Sequence, residues 1–155
     1  MPTPTPFLWF DTQAEQAAEL YVSLFPNSKI TGVSRYPGPD GEEKVMTVGF
    51  VLDGQEFTGL NAGPQFTFTE AVSFVIPCAD QAEVDHYWDG LIANGGEESQ
   101  CGWLKDPFGL SWQVVPTVLH ELLGDPDPAR AQRAQQAMLS MRRLDIAGLR
   151  RAADG

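Results

Sequence analysis

The apolar positions of this chain change period several times along its length, and each change marks an element. Phe7-Leu8-Trp9-Phe10 is a short apolar run that predicts a strand. In Thr12-Gln13-Ala14-Glu15, Thr12 can cap a helix and Glu15 can reach back to it. Ala14, Ala17, Ala18, Tyr21, Leu24 and Phe25 then recur at helical spacing until Pro26-Asn27 stops them. Lys29 to Tyr36 and Lys44 to Leu52 alternate as strands around Pro37-Gly38-Pro39-Asp40-Gly41, and Asp53-Gly54 predicts a tight hairpin into Gln55 to Asn61. The first half therefore reads strand, helix, strand, strand, strand.

After a loop over residues 62–69 the order repeats. Ala71 to Pro77 reads as a strand, and Asp80-Gln81-Ala82-Glu83 opens a helix ending near Asn94-Gly95-Gly96. Glu97 to Leu104 and Leu110 to Val115 supply later strands, joined by the turn Asp106-Pro107-Phe108-Gly109. The same Gln-Ala-Glu triplet follows a capping residue in both halves, which with the shared order predicts an internal duplication of about fifty residues. Beyond Pro116 the period is helical: a segment to Leu123, then Asp127-Pro128 as cap and first-turn proline before the stripe Ala131, Ala134, Met138 and Met141. Arg142 and Arg143 are expected to complement that helix's C-terminus, with a last helix from Asp145 to about Ala153. The expected fold is α+β in a single domain over residues 1–155, with module one at about 5–63, module two at about 70–116 and a helical extension over 117–155.

Charge narrows the function classes. Lys and Arg number 10 against 21 Asp and Glu, a net −11, so nucleic acid and anionic membranes are excluded as expected partners. The imbalance is uneven: residues 1–125 carry −14 and residues 126–155 carry +3, so the basic tail is either a solvated helix or docks on an acidic face of its own or a partner subunit. Two cysteines, Cys78 and Cys101, and a start without a basic or long apolar segment predict a reduced, cytoplasmic protein.

Candidate chemistry is sparse. His86 and His120 are the two histidines, with no metal-ligand spacing, and the cysteines lack CxxC spacing. Gly95-Gly96 runs into Glu97-Glu98, which opposes a bound phosphate, and no GxSxG elbow occurs. Cys101 to Gln113 is the distinctive stretch, placing Trp103, Lys105, Trp112 and Gln113 on two neighbouring strands. By alternation Cys101, Trp103 and Lys105 share a face, as do Ser111 and Gln113. Those groups could line an apolar cup with a few polar groups, or the tryptophans could fill core while Asp106 caps the turn.

The stretches FLWFDTQAEQAAELYVSLFPNSKI, VLDGQEFTGLNAGP, AVSFVIPCADQAEVDHYW, CGWLKDPFGLSWQVVPTVL and AMLSMRRLDIAGLRRA closely resemble the PhnB-like family of the vicinal-oxygen-chelate superfamily, which includes glyoxalase I and bleomycin-resistance proteins. The resemblance implies paired βαβββ modules in a cupped, barrel-like mixed sheet, usually in a homodimer. The family often carries the label 3-demethylubiquinone-9 3-methyltransferase, yet no glycine-rich loop of a Rossmann-type methyltransferase is present to support that activity.

The superfamily's metal enzymes take a histidine early in each module's first strand and a glutamate late in its last. Counting back from Thr12 and Asp80 puts Thr5 and Ser73 at the histidine positions. Matching the Asp106–Gly109 turn to the superfamily's puts Gln113 at a glutamate position, with the fourth near Thr58 to Asn61. Hydroxyl and amide groups are weak ligands for Zn²⁺ or Ni²⁺, so no metal and no cofactor is expected at the usual position. The expected function is binding of a small, partly apolar organic molecule with an anionic or carbonyl group, through Trp9, Ser73, Trp103, Lys105, Trp112 and Gln113. Two alternatives stay open: a metal-dependent lyase, isomerase or dioxygenase with ligands drawn from Glu56, His86 and the cysteines, and a resistance-type protein that sequesters a compound unchanged.

Overall fold

The computed structural model describes residues 2–155. The first half runs β1 (Phe7–Phe10), α1 (Ala14–Leu24), β2 (Lys29–Pro37), β3 (Glu43–Leu52) and β4 (Gln55–Asn61). The second runs β5 (Ser73–Cys78), α2 (Gln81–Ile92), β6 (Glu97–Glu98), β7 (Trp103–Lys105) and β8 (Ser111–Pro116), followed by α3 (Val118–Leu123), α4 (Pro128–Ser140) and α5 (Ile146–Asp154). The strands form two separate four-stranded mixed sheets, ordered β1-β4-β3-β2 and β5-β8-β7-β6, and do not close into a barrel. The chain divides into two compact units between Phe68 and Thr69, with the C-terminal helices in the second. No helix among the described residues is long and apolar enough to cross a membrane.

In the first unit, β1 pairs in parallel with β4, while β2, β3 and β4 are antiparallel. Alternation puts Val48, Phe50 and Leu52 of β3 and Phe57 of β4 on the face that α1 covers with Ala14, Ala17, Ala18 and Tyr21. Tyr21 lies 5.9 Å from Phe50, and Phe50 stacks on Phe57 at 5.2 Å. The helix approaches closely at Gly59, where a Cβ would stand 3.2 Å from the Ala14 Cβ. Asp53 and Gly54 make the tight turn, both at positive φ (44° and 90°), as two-residue hairpins require.

The second unit repeats the plan. β5 is parallel to β8, β7 and β8 are antiparallel, and α2 buries Val84, Tyr87, Trp88 and Leu91 against them. Its N-terminus is capped as expected: Asp80 accepts from the Glu83 amide at 2.9 Å while the Glu83 carboxylate accepts from the Ala79 amide at 2.7 Å. Leu119, Leu144 and Leu149 form a small second core with Val115, Leu122, Ala137, Met138 and Met141.

Three expectations are corrected. Thr12 does not cap α1; the helix starts one residue late, Gln13 is its N-cap without a side-chain bond, and the first amide is satisfied from 47 residues away. The parallel register Phe10↔Asn61 sets Asn61 beneath the helix start, where its Oδ1 accepts from Ala14 N–H at 2.9 Å and its Nδ2 donates to the Val45 carbonyl at 3.2 Å. Glu97 to Leu104 is not one strand. Cys101 and Gly102 adopt φ of 58° and 86°, and their amides donate to the Met141 and Arg142 carbonyls, each at 2.8 Å, which breaks the strand into β6 and β7. Arg142 and Arg143 lie beyond α4 rather than on its last turn, because the helix ends at Ser140. Arg143 instead pairs with Asp85 (3.3 Å) and Asp89 (2.6 Å) of α2 and lies over the Trp88 ring, and Arg142 stands 3.8 Å from Glu98. The basic tail thus docks on an acidic face of its own chain.

Asn61→Ala should lower the unfolding free energy by about 1–2 kcal/mol, by loss of a cap and a strand-to-strand bond. Thr12→Ala should change it by less than about 0.5 kcal/mol. Urea unfolding of the two variants checks this order, and equal losses would return the cap to Thr12.

Candidate functional site

The register of the second sheet decides which side chains meet. Lys105 is opposite Ser111, and Ser111 is opposite Ser73, so β7, β8 and β5 contribute one polar row; Glu97 extends it from β6. The next row on that face is Trp103, Gln113 and Val75. Leu104, Trp112 and Phe74 form the intervening row and point to the other side, toward α2.

The polar row is only partly satisfied. Gln113 Nε2 donates to Ser73 Oγ at 2.9 Å. Lys105 forms an ion pair with Glu70, in the loop before β5. Hydrogen bonding to Lys105, then Glu70's own backbone amide and the ammonium charge, hold the Glu70 carboxyl below its usual range; the same hydrogen bond, with attraction from Glu70 and Glu97, raises Lys105. Both side chains stay open to solvent, 37% for Lys105 and 62% for Glu70, so water screens the pair and it adds little to folding. Ser111 is 1% exposed, and its Oγ has no hydrogen-bond partner among the described residues. Glu70, Glu97, Ser99, Trp103, Lys105 and Ser111 line a cavity of about 230 Å³.

Of the residues expected to bind ligand, the structure brings together Ser73, Trp103, Lys105 and Gln113. Trp112 is a correction. It is 2% exposed on the helix-facing side, 5.7 Å from Phe74, and its Nε1 donates to Asp106 Oδ2 at 2.9 Å. Trp9 belongs to the first unit, where its Nε1 donates to the Gly63 carbonyl at 2.9 Å and its ring meets Phe66 edge-on at 4.9 Å. Thr5 is exposed ahead of β1. Between Thr58 and Asn61, Asn61 is taken by the α1 cap, which leaves the Thr58 hydroxyl on the uncovered face of its sheet.

Glu70 is absent from the groups expected from sequence, and Ser111, expected on Gln113's face of the cup, is not in the set expected to bind ligand. Ser111 was legible as Gln113's neighbour two residues away on one strand face. Glu70 sits in a loop, where no periodicity points to Lys105.

Asp106 holds this arrangement in place. Its Oδ1 accepts from the Phe108 and Leu110 amides at 2.9 and 3.1 Å, and the backbone closes the turn with Asp106 N–H to the Leu110 carbonyl at 2.9 Å. Cys78 is buried, and desolvation with the charges of Glu83 and Asp80 pushes its thiol up to about 12, so it is not a nucleophile at neutral pH. His86 and His120 are exposed on α2 and α3, and among the described residues no three His, Cys, Asp or Glu side chains converge on a point.

Two mixed sheets, each with a βαβββ order, define a protein of the glyoxalase and fosfomycin-resistance fold. The structure of FosX from Listeria monocytogenes complexed with Mn(II) and sulfate is similar at TM-score 0.53 and 18% identity, over 79% of this chain and 97% of that one. PA1353 from Pseudomonas aeruginosa is similar at TM-score 0.61 and 19% identity, over 75% and 98%. A PhnB protein from Bacillus cereus is 34% identical at TM-score 0.68, over 75% of this chain and 100% of that one. The family profile described as 3-demethylubiquinone-9 3-methyltransferase matches residues 2–115, and the chain belongs to this PhnB-like family. No curated protein matches the sequence.

The FosX structure carries Mn(II), and the two residues at the positions that the resemblance implies in the second unit are poor ligands for such an ion. They are a hydroxyl and a neutral amide, Ser73 and Gln113, already bonded to each other.

Asp106→Ala should cost about 3 kcal/mol or more, because two amides and an indole N–H lose their shared acceptor. Asp106→Asn, which keeps one acceptor oxygen, should lose less. Chemical denaturation checks both, and a loss under about 1 kcal/mol for the alanine variant would mean the turn is held by other contacts.

Proposed function

We propose that the uncovered face of β5, β7 and β8 binds a small, partly apolar organic molecule through a carbonyl or carboxylate oxygen, without a metal at the family's usual position. The observation that carries this reading is the Ser111 hydroxyl, buried, without a hydrogen-bond partner among the described residues, and opposite Lys105 in the strand register. A buried hydroxyl without a partner costs about 1–3 kcal/mol, which a ligand oxygen accepting from it would recover. Trp103 and the half-exposed Val75 offer apolar surface next to it, and the Ser73 and Gln113 pair adds further hydrogen-bonding groups. The resemblance to PhnB-like proteins supports a homodimer as the working form.

Phenylpyruvate, which carries a ring, a ketone and a carboxylate, is a suitable probe, titrated by tryptophan fluorescence. Lys105→Ala and Gln113→Ala should each weaken its binding about five- to tenfold, the first also because it leaves Glu70 unpaired beside the bound anion. Unchanged affinity in both variants, or no binding by the unaltered protein, would overturn the reading.

Native mass spectrometry should show a dimer without stoichiometric divalent metal. One tightly held ion per chain would overturn the metal-free reading in favour of a metal-dependent enzyme.

A further inference from the structure

The residues after Val115 lie beyond the family profile, and 75% of this chain suffices to cover the whole Bacillus cereus relative. Yet the segment 141–146, from the end of α4 to the first residue of α5, is bonded into the second unit's βαβββ body at four points. Met141 and Arg142 carbonyls accept from Cys101 and Gly102, whose own carbonyl accepts from Val114 of β8 at 2.8 Å. The Gln81 side chain grips the same segment with both ends of its amide, Nε2 donating to the Leu144 carbonyl at 3.1 Å and Oε1 accepting from Ile146 N–H at 2.8 Å. Leu144 is fully buried, and a Cβ on Gly102 would lie 3.0 Å from its Cδ1. Arg143 adds the ion pairs to Asp85 and Asp89.

What this segment grips is the wall of the cavity. Cys101 and Gly102 form the turn between Ser99 and Trp103, both of which line it, and the turn is closed by Trp103 N–H to the Gln100 carbonyl at 3.0 Å and Ser99 N–H to the Trp103 carbonyl at 3.0 Å. Glu98, also in the lining, is approached by Arg142 and accepts from Trp88 Nε1 at 3.0 Å. Cys101, a non-glycine residue, is held in the left-handed region there, a conformation that persists when surrounding bonds enforce it.

We propose that residues 141–146 are a strap that positions the Ser99–Trp103 wall, with Gln81 as its principal anchor. The strap sets the orientation of Trp103 without itself touching the ligand. The proposal rests on the reading of this cavity as a binding site. It places a positioning function in the part of the chain outside the family profile, on Arg143 and Leu144, gripped by Gln81 from within it.

The test uses the full-length chain carrying Gln81→Ala with Arg143→Ala, labelled with fluorotryptophan. Hydrogen exchange at Cys101 and Gly102 should accelerate about tenfold or more. The Trp103 fluorine resonance should shift or broaden while those of Trp9 and Trp112 hold, and phenylpyruvate affinity should fall about fivefold. Gln81→Ala with Arg143→Lys should recover part of each change. If the double variant does not fold, Gln81→Ala alone gives the same readouts. An unmoved Trp103 resonance with unchanged exchange would overturn the strap, and so would a mobile wall that keeps full affinity. Should the unaltered protein fail to bind phenylpyruvate, the binding reading falls, while exchange and the fluorine spectrum still decide whether the strap holds the wall.

Discussion

The Asp106 carboxylate is the contact on which the second unit's sheet depends. It is 2% exposed, and polar oxygens so buried are tolerated only where hydrogen bonds replace their water. Two turn amides and the Trp112 indole supply them. Because Trp112 is on β8 and the amides belong to the turn from β7, one side chain fixes how the two strands meet. A slip of one residue between β7 and β8 would turn one strand over relative to the other and part Lys105 from Ser111 and Gln113. The aspartate touches none of the cavity's contents, but it decides that those groups share a side.

The two units solve the same problem with different means. Each must satisfy the first amides of a helix that follows a parallel edge strand. In the second unit the answer is local, a reciprocal bond between Asp80 and Glu83. In the first it is tertiary, with Asn61 of β4 reaching the helix start. That choice commits the Asn61 amide to the helix start and to the Val45 carbonyl, and the uncovered face of the first sheet carries hydroxyls such as Ser34 and Thr47, which bond each other at 2.5 Å. The second sheet carries an ammonium, an amide and an unpartnered buried hydroxyl instead. Similar architecture has therefore been given unequal chemistry.

Much of this could be read from the chain. Period-two and period-3.6 runs located the elements, Asp53-Gly54 the hairpin and Asp80-Gln81-Ala82-Glu83 the second helix, because those signals act within a few residues of where they are written. The family resemblance likewise located Ser73 and Gln113 on neighbouring strands, and they are in contact. What escaped depends on residues far apart in sequence. The α1 cap comes from Asn61, the break between β6 and β7 from carbonyls of residues 141 and 142, and the partner of Lys105 from a loop. Trp112 shows a different limit: alternation separated it from Gln113, but aromatic bulk alone did not say which face was covered by a helix.

The charge around Lys105 constrains the ligand proposed for this face. Residues 1–125 carry −14, and Lys105 is one of only four basic side chains among them, so a dissolved anion gains nothing by approaching from a distance. At contact, Glu70 already occupies the ammonium and Glu97 stands in the same row. A ligand carboxylate would therefore exchange one ion pair for another, and a solvent-screened pair of this kind exchanges readily. Lys105 then supplies only part of the affinity, and much of what its loss would cost is the unpaired Glu70 left beside the ligand. The net gain would come from apolar contact with Trp103 and from the hydrogen bond that Ser111 lacks, which favours a compact molecule with an apolar body and one well-placed acceptor oxygen over a highly charged one.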